Sequence, residues 1–308
     1  MTIDEHLTQF AGLPVAAFDP QGDAPADPSG FAWRVSTDYD GGKEEFRARL
    51  SGLVDSDWAG SVRALVLGEW GESYERAAPI GRLVKAADRL TGLRALFIGE
   101  MISEECEVSW IHHRDITPLL QAYPRLEILR VRGSDGLELA PTRHEALQEL
   151  AFESGGLPDH IVRSVGECDL PALRHLELWL GTDEYGGDAD SDDLAGVLGG
   201  ARLPALRYLG LRDAEIADEV AAALASAPVV ARLETLDLSL GVLSDLGGAA
   251  LLSGQPLTHL RKLDLHHHYL SDDMARRIVD ELGAAGVEVD VSDGQDEDDG
   301  DRYIAVSE

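Results

Sequence analysis

The run LDLHHHYL, beginning at Leu263, sets Asp264 beside His266, His267 and His268. Carboxylate and imidazole are a donor set for zinc and related divalent ions. On a strand, however, alternate residues face opposite ways, so only Asp264 and His266 share a face, and strands about 4.8 Å apart add only Asp237 and Ser239. Too few donors converge, and no tightly held metal is expected; His268 is expected to hydrogen-bond loop backbone instead. Asp188, Asp190 and Asp192 mimic the opening of a calcium loop, but Asp193 stands where that loop needs its turn glycine and Gly199 where it needs a bidentate glutamate. Cys106 shares a loop with His112 and His113, a thiol and two bases, yet no third group orients the base. Glu153 with Glu177, and Asp237 with Asp264, could stand at the separation of a retaining glycosidase pair. No Gly-rich phosphate loop occurs among the 32 glycines. The expectation is no catalytic residue, no metal and no cofactor.

The elements that would carry these residues repeat. LRYLGLRDAEI begins at Leu206, LETLDLSLGVL at Leu233 and LRKLDLHHHYL at Leu260, each 27 residues after the last. The pattern recurs less perfectly from Val62, Leu93, Leu126, Leu147 and Leu173, and VEVDV at Val287 to Val291 supplies a ninth strand without the leading leucines. Alternation buries Leu236 and Leu238, or Leu263 and Leu265, and turns Asp237 or Asp264 outward, so each strand is half buried. Between strands, segments such as ADEVAAALASAP have helical spacing, with Ile216, Val220 and Leu224 at four-residue steps. One strand and one helix per unit, stacked because no unit can bury its own apolar stripe, predict an α/β solenoid. Its parallel sheet lines a concave face, with helices on the convex side.

These phrases resemble the leucine-rich-repeat superfamily, in its long, ribonuclease-inhibitor-like form. The likeness covers about Val62 to Val291 and is strongest from Leu206, where Asp218, Asp245 and Asp272 fall at the acidic helix-start position. The family usually places Asn at the ninth repeat position to bond loop backbone. This chain contains no Asn, and Ala214, Gly241 and His268 take that place. More narrowly, ELWLGTDEYGGDA and LDLHHHYL are similar to an uncharacterised family of bacterial leucine-rich-repeat proteins. Its members tend to be encoded beside radical-SAM-like and hydrolase-like proteins, which implies an accessory role in a biosynthetic or modification system.

Start-to-start spacing is 31, 33, 21, 26 and 33 residues over the less regular units. The 21-residue unit, with GLELAP, has no room for a helix. The long units extend EWGESYERAAP, GEMISEECEVSWIHHRD and GTDEYGGDADSD, each just after a strand, so the enlarged loops are expected on one rim. That rim would hold Trp70, Tyr74, Trp110, Trp179 and Tyr185 among Glu72, Glu104, Glu105, Glu107 and Asp183, and aromatics at an edge suit recognition. Outward positions give Ala64, Val66, Ala95, Phe97 and Ile128, then Arg130 and Arg132, then His175, Glu177, Trp179, Tyr208, Arg212, Asp237, Asp264 and His266. So large an apolar patch needs a cover, either the amino-terminal segment or a partner.

Residues 1–61, including the strand-like FAWRVSTDY, are expected to cap the array at 62–291. Residues 292–308 form an acidic tail whose RYIAVSE could pair antiparallel with Val287 to Val291, or stay free for a partner. The formal charge of −31 opposes nucleic acid and anionic lipid. No apolar run approaches the roughly 20 residues that cross a bilayer. Two cysteines and an acidic amino terminus point to a cytoplasmic protein. The function expected is non-enzymatic recognition of a protein or peptide. The alternatives are a metal-dependent or carboxylate enzyme centred on His266, Asp264 and Asp237, and an acidic mimic that occupies a basic protein surface.

Overall fold

Each leucine phrase becomes a short strand in the structure, a computed structural model that describes residues 3–37 and 41–307. The chain divides into two compact units, Thr2–Glu153 and Ser154–Ser307. The first unit opens with an antiparallel hairpin of β1 (Gln9–Phe10) and β2 (Leu13–Ala17). Then β3 (Ala32–Val35), β4 (Ala64–Leu67), β5 (Ala95–Ile98), β6 (Ile128–Arg132) and β7 (Glu149–Glu153) follow β2 in one parallel ladder, each paired with its predecessor. The helices of this unit are α1 (Lys43–Asp55), α2 (Ile80–Lys85) and α3 (Thr117–Ala122). No helix stands between β6 and β7, where the 21-residue unit has no length for one. The strand-like FAWRVSTDY contains β3, while its Asp38 and Tyr39 lie outside the described residues.

What covers the apolar positions of β4 and β5 is the amino-terminal hairpin. Ala64, Val66, Ala95 and Phe97 form one buried cluster with Phe10 and Ala32, and Leu7, Leu13, Val15 and Ile128 pack against it. Phe10 and Phe97 stand 5.8 Å apart, centroid to centroid. The alternate residues Leu65, Leu67, Leu96 and Ile98, on the opposite face, are buried as well. The expectation that Phe97 meets a partner is therefore corrected: it is 0% exposed, under the hairpin. A polar cluster around the buried Glu100 and Arg34 fastens the hairpin's leading end. The Leu7 N–H donates to Glu100 Oε1 at 2.8 Å, His6 lies 3.3 Å from the same oxygen, and Arg34 pairs with Glu100. Burial first, then Arg34 and Arg132, pushes the His6 imidazole down to about 4, so it is neutral here.

The second unit has five strands: β8 (His175–Gly181), β9 (Tyr208–Ala214), β10 (Thr235–Asp237), β11 (Lys262–Asp264) and β12 (Glu288–Asp290), all parallel and in chain order. Between and beside them lie α4 (Asp159–Glu167), α5 (Ala195–Gly199), α6 (Ala217–Leu224), α7 (Asp245–Ser253) and α8 (Asp272–Gly283). The nine strands that the repeats place are β4 to β12, and the fold is of the α/β class expected of a solenoid, with parallel strands following one another in chain order. The acidic helix-start residues have a concrete task. Asp218 accepts from the Ser244 N–H at 2.8 Å and pairs with its hydroxyl, and Asp245 does the same for Ser271, at 2.7 and 2.8 Å. Each helix start is thus tied to the next, and Ser244 and Ser271 in turn cap α7 and α8.

The loops manage without asparagine in two ways. Small residues let backbones meet directly: Val242 N–H donates to the Ala214 carbonyl at 3.1 Å and Glu215 N–H to that of Gly181. His268 instead bonds the Val291 carbonyl and accepts from the Leu270 N–H, both at 3.0 Å. One position earlier, Asp213, Leu240 and His267 recur in the left-handed region, at φ 50°, 68° and 57°. The tail does not pair with β12 as expected. Ile304, Ala305 and Val306 are buried; Ala305 N–H donates to the Leu240 carbonyl and Val306 N–H to Asp213 Oδ1. Apolar alternation makes a docking strap here, not a cap strand. Among the described residues, no helix is long and apolar enough to cross a membrane.

Candidate functional site

Register aligns the outward side chains of the second unit into rows. His175, Tyr208, Thr235, Lys262 and Glu288 make one; Glu177, Gly210, Asp237, Asp264 and Asp290 make the next. Gly210 interrupts the acidic row, and Arg212 bridges the gap. Its Nη1 lies 2.7 Å from Glu177 Oε1 and its Nε 3.4 Å from Asp237 Oδ2, while Nε also donates to Ser239 Oγ at 2.9 Å. The guanidinium rests 5.3 Å over the Trp179 ring, whose Nε1 donates to Glu177 at 2.7 Å. Tyr208 donates its hydroxyl to Asp237 at 2.6 Å, and its ring stacks on His175 at 3.8 Å and 4°. Burial disfavours the Arg212 charge, but Asp237 and Glu177 outweigh it and raise its pKa. Burial, then Asp237, pushes the Tyr208 phenol up, so it remains a donor.

At the far end, Asp264 takes Lys262 Nζ at 2.8 Å and His266 Nδ1 at 2.7 Å. Burial would raise the Asp264 pKa, yet Lys262 and His266 hold it below the ordinary carboxylate range. One donor atom each from Asp264, His266 and Asp290 lies within 4.8 Å of the others, so an ion could be held there. Strand alternation indicated Asp264 and His266, but it did not indicate Asp290, because β12 lacks the leading leucines that set register. Lys262 was legible in principle, as it stands two residues before Asp264 on the same face.

The other expected residues differ in exposure. Trp179 is 7% exposed, beneath Arg212, and cannot serve as the aromatic anchor expected of it. Trp70 is buried too, its Nε1 donating to the Arg76 carbonyl. Trp110 and Tyr74 are exposed at 55% and 54%, both in the first unit, whereas Tyr185, in the second, is half buried. Arg132 is buried over Phe97 and paired with Glu153 at 2.8 Å; Arg130 pairs with Glu149 and Glu153.

The catalytic alternatives lose their free groups. Burial, the largest influence, pushes the Cys106 thiol up to about 11, so it is no nucleophile at neutral pH. His113 is fully buried and bonded to the Arg132 carbonyl, its imidazole held down at about 4. Asp188 accepts from the Asp159 N–H at the start of α4, Asp190 from the Asp192 N–H, and Asp193 pairs with Arg163. Glu153 is held by Arg130 and Arg132, and Glu177 by Arg212 and Trp179. Asp237 and Asp264 do stand side by side in register, but Tyr208, Arg212, Lys262 and His266 occupy their oxygens.

The chain is similar to a solved structure over most of its length. That crystal structure, of a Bacteroides fragilis protein from a structural genomics consortium, is 28% identical with a TM-score of 0.78, covering 89% of this chain and 76% of that one. An internalin from Listeria monocytogenes matches at a TM-score of 0.41 and 13% identity, covering 92% of this chain and 82% of that one. No family model matches the chain, and no curated protein matches it.

Proposed function

We propose that the protein is a recognition scaffold, not an enzyme, and that it binds a protein or peptide on the sheet face of Ser154–Ser307. One observation carries the reading. His175, Tyr208, Arg212 and His266 are partly exposed and are already fixed by stacking or by ion pairs, so binding would order little that is not ordered. The buried Glu177, Asp237 and Asp264, with Glu288 and Asp290 beside them, outnumber Arg212 and Lys262 on this face; the buried three touch no partner directly but leave the face negative, which favours a cationic segment of the partner. The accessory role in a bacterial cytoplasmic system rests on the sequence resemblance alone.

Affinity capture with the wild type and with a His175→Ala, His266→Ala variant, quantified by mass spectrometry, tests this. The expected result is one partner depleted about tenfold or more by the variant, as for loss of interface-centre contacts of about 1.4 kcal/mol. Undiminished capture that Trp110→Ala abolishes would move recognition to the first unit.

The Asp264, His266 and Asp290 group favours a second reading, a metal-dependent enzyme at His266, Asp264 and Asp237. Lys262 weighs against it, because its ammonium already supplies the positive charge. Calorimetric titration of chelator-washed protein with zinc should show no stoichiometric uptake, and uptake lost in His266→Ala would establish the second reading.

A further inference from the structure

A chain with only 26 basic residues and a formal charge of −31 places six of them around one cavity. Lys43, Arg47, Arg76, Arg82, Lys85 and Arg114 line a volume of about 400 Å³ in the first unit, and no Asp or Glu is among the described lining residues. The wall between these cations is apolar, made by Phe46, Ala77, Ala78 and Pro79. Arg47 pairs with Glu44 and Arg76 with Glu72. Among the described residues, Lys43, Arg82, Lys85 and Arg114 make no ion pair within 4.0 Å.

Folding accounts for part of this concentration, since Arg82 and Lys85 stand in the last turn of α2, where cations suit the helix dipole, but not for Lys43. Lys43 is the first residue of α1, whose amino end is positive and has no side-chain cap, so a cation there works against the helix. Like charges gathered round one hollow repel each other, and no carboxylate is among its described lining residues. Surface cations in an acidic protein ordinarily spread among the acids. A site in which the ligand supplies the counter-charge has no such need.

We propose that the cavity binds a small phosphorylated ligand carrying at least two anionic groups. Its volume falls in the range of small-ligand pockets, about 300–1,000 Å³. Arginine forks match phosphate oxygens in bidentate geometry, and four of the six cations are arginines. The size follows from the surroundings: screening confines the pull of these cations to about a Debye length, about 8 Å, so the parts of a long polyanion that extend past the hollow lie against acidic surface and are repelled. A nucleic acid strand is disfavoured for that reason. The apolar wall suits the carbon portion of the ligand.

Isothermal titration with inorganic pyrophosphate at low ionic strength tests the proposal on the full chain. Arg82 and Arg114 are exposed, so Arg82→Glu with Arg114→Glu should leave the fold intact. Arg276→Glu with Arg277→Glu, on α8 of the second unit, makes the same change in net charge elsewhere. The expected result is one site in the wild type and in the α8 variant, weakened at least tenfold in the cavity variant, and tighter for pyrophosphate than for orthophosphate. Absence of binding by the wild type overturns the proposal, and so does equal weakening in both variants, which would report net charge alone. Should the cavity variant melt early, Lys85→Gln with Arg114→Gln replaces it, against Arg276→Gln with Arg277→Gln as the charge-matched control, with the same two outcomes.

Discussion

Asp213 shows what a single buried group does to the whole. Burial, the largest influence, pushes its carboxyl up to about 8, although the Val306 N–H bonds its Oδ1. Between the ordinary value of 3.8 and about 8, the folded state holds a proton that the unfolded chain has lost. The stabilising contribution is therefore complete below pH 3.8 and is lost as pH rises through about 8. Asp213→Asn keeps the acceptor, tolerates the left-handed backbone at φ 50° and does not titrate. It should melt higher than the wild type at pH 8.5 and at the same temperature near pH 4; melting curves against pH check this, and an unchanged difference across that range would count against a buried proton. A second expectation concerns Cys106, whose thiol is pushed up to about 11 behind other atoms. Alkylation by iodoacetamide should be slow at pH 7.5 in the folded protein and fast in urea, as read by mass spectrometry. Sequence spacing found Cys106 and both neighbouring histidines but not the burial of Cys106 and His113, which depends on how the long loop after β5 folds back.

At the scale of elements, the strands were legible and their covers were not. Apolar alternation places β4 to β11, because each strand must bury one face in its neighbours, and the repeat interval places β12. β2 and β3 carry no such leucines, and nothing local in LPVAA tells that it lies on β3 and that its hairpin shields Val66 and Phe97. The same limit applies to the candidate site: the rows are legible, whereas the burial of Trp179 is decided by Arg212 from the next strand. Two substitutions separate these layers. Leu236→Asp puts an unpaired charge into the core of β10 and should cost several kcal/mol. Phe10→Ala empties the hairpin's contact with Phe97 and should cost about 3 kcal/mol or more, with new binding of an apolar dye as Phe97 is uncovered. Urea unfolding midpoints measure both, and a Phe10→Ala protein that binds no dye would mean that the hairpin is not the cover.

At the scale of the molecule, the charge of −31 sets the response to solvent. Self-repulsion lowers stability and salt screens it, so raising sodium chloride from about 20 to about 500 mM should raise the melting temperature. A gain of about 2–4 °C corresponds to roughly 1 kcal/mol in units of this size. A fall with salt would show that the ion pairs outweigh the repulsion. The strap at residues 304–306 has a different bearing. In a stack whose layers touch only their neighbours, the last layer frays first, and amide exchange should quicken steadily toward the carboxyl end. Here Val306 reaches back to Asp213 and Ala305 to Leu240, past the layers of β11 and β12. The outermost turns of the stack are laced to inner ones, so deuterium should enter β9 to β12 together, not in sequence, and a chain shortened before Ile304 should recover the gradient.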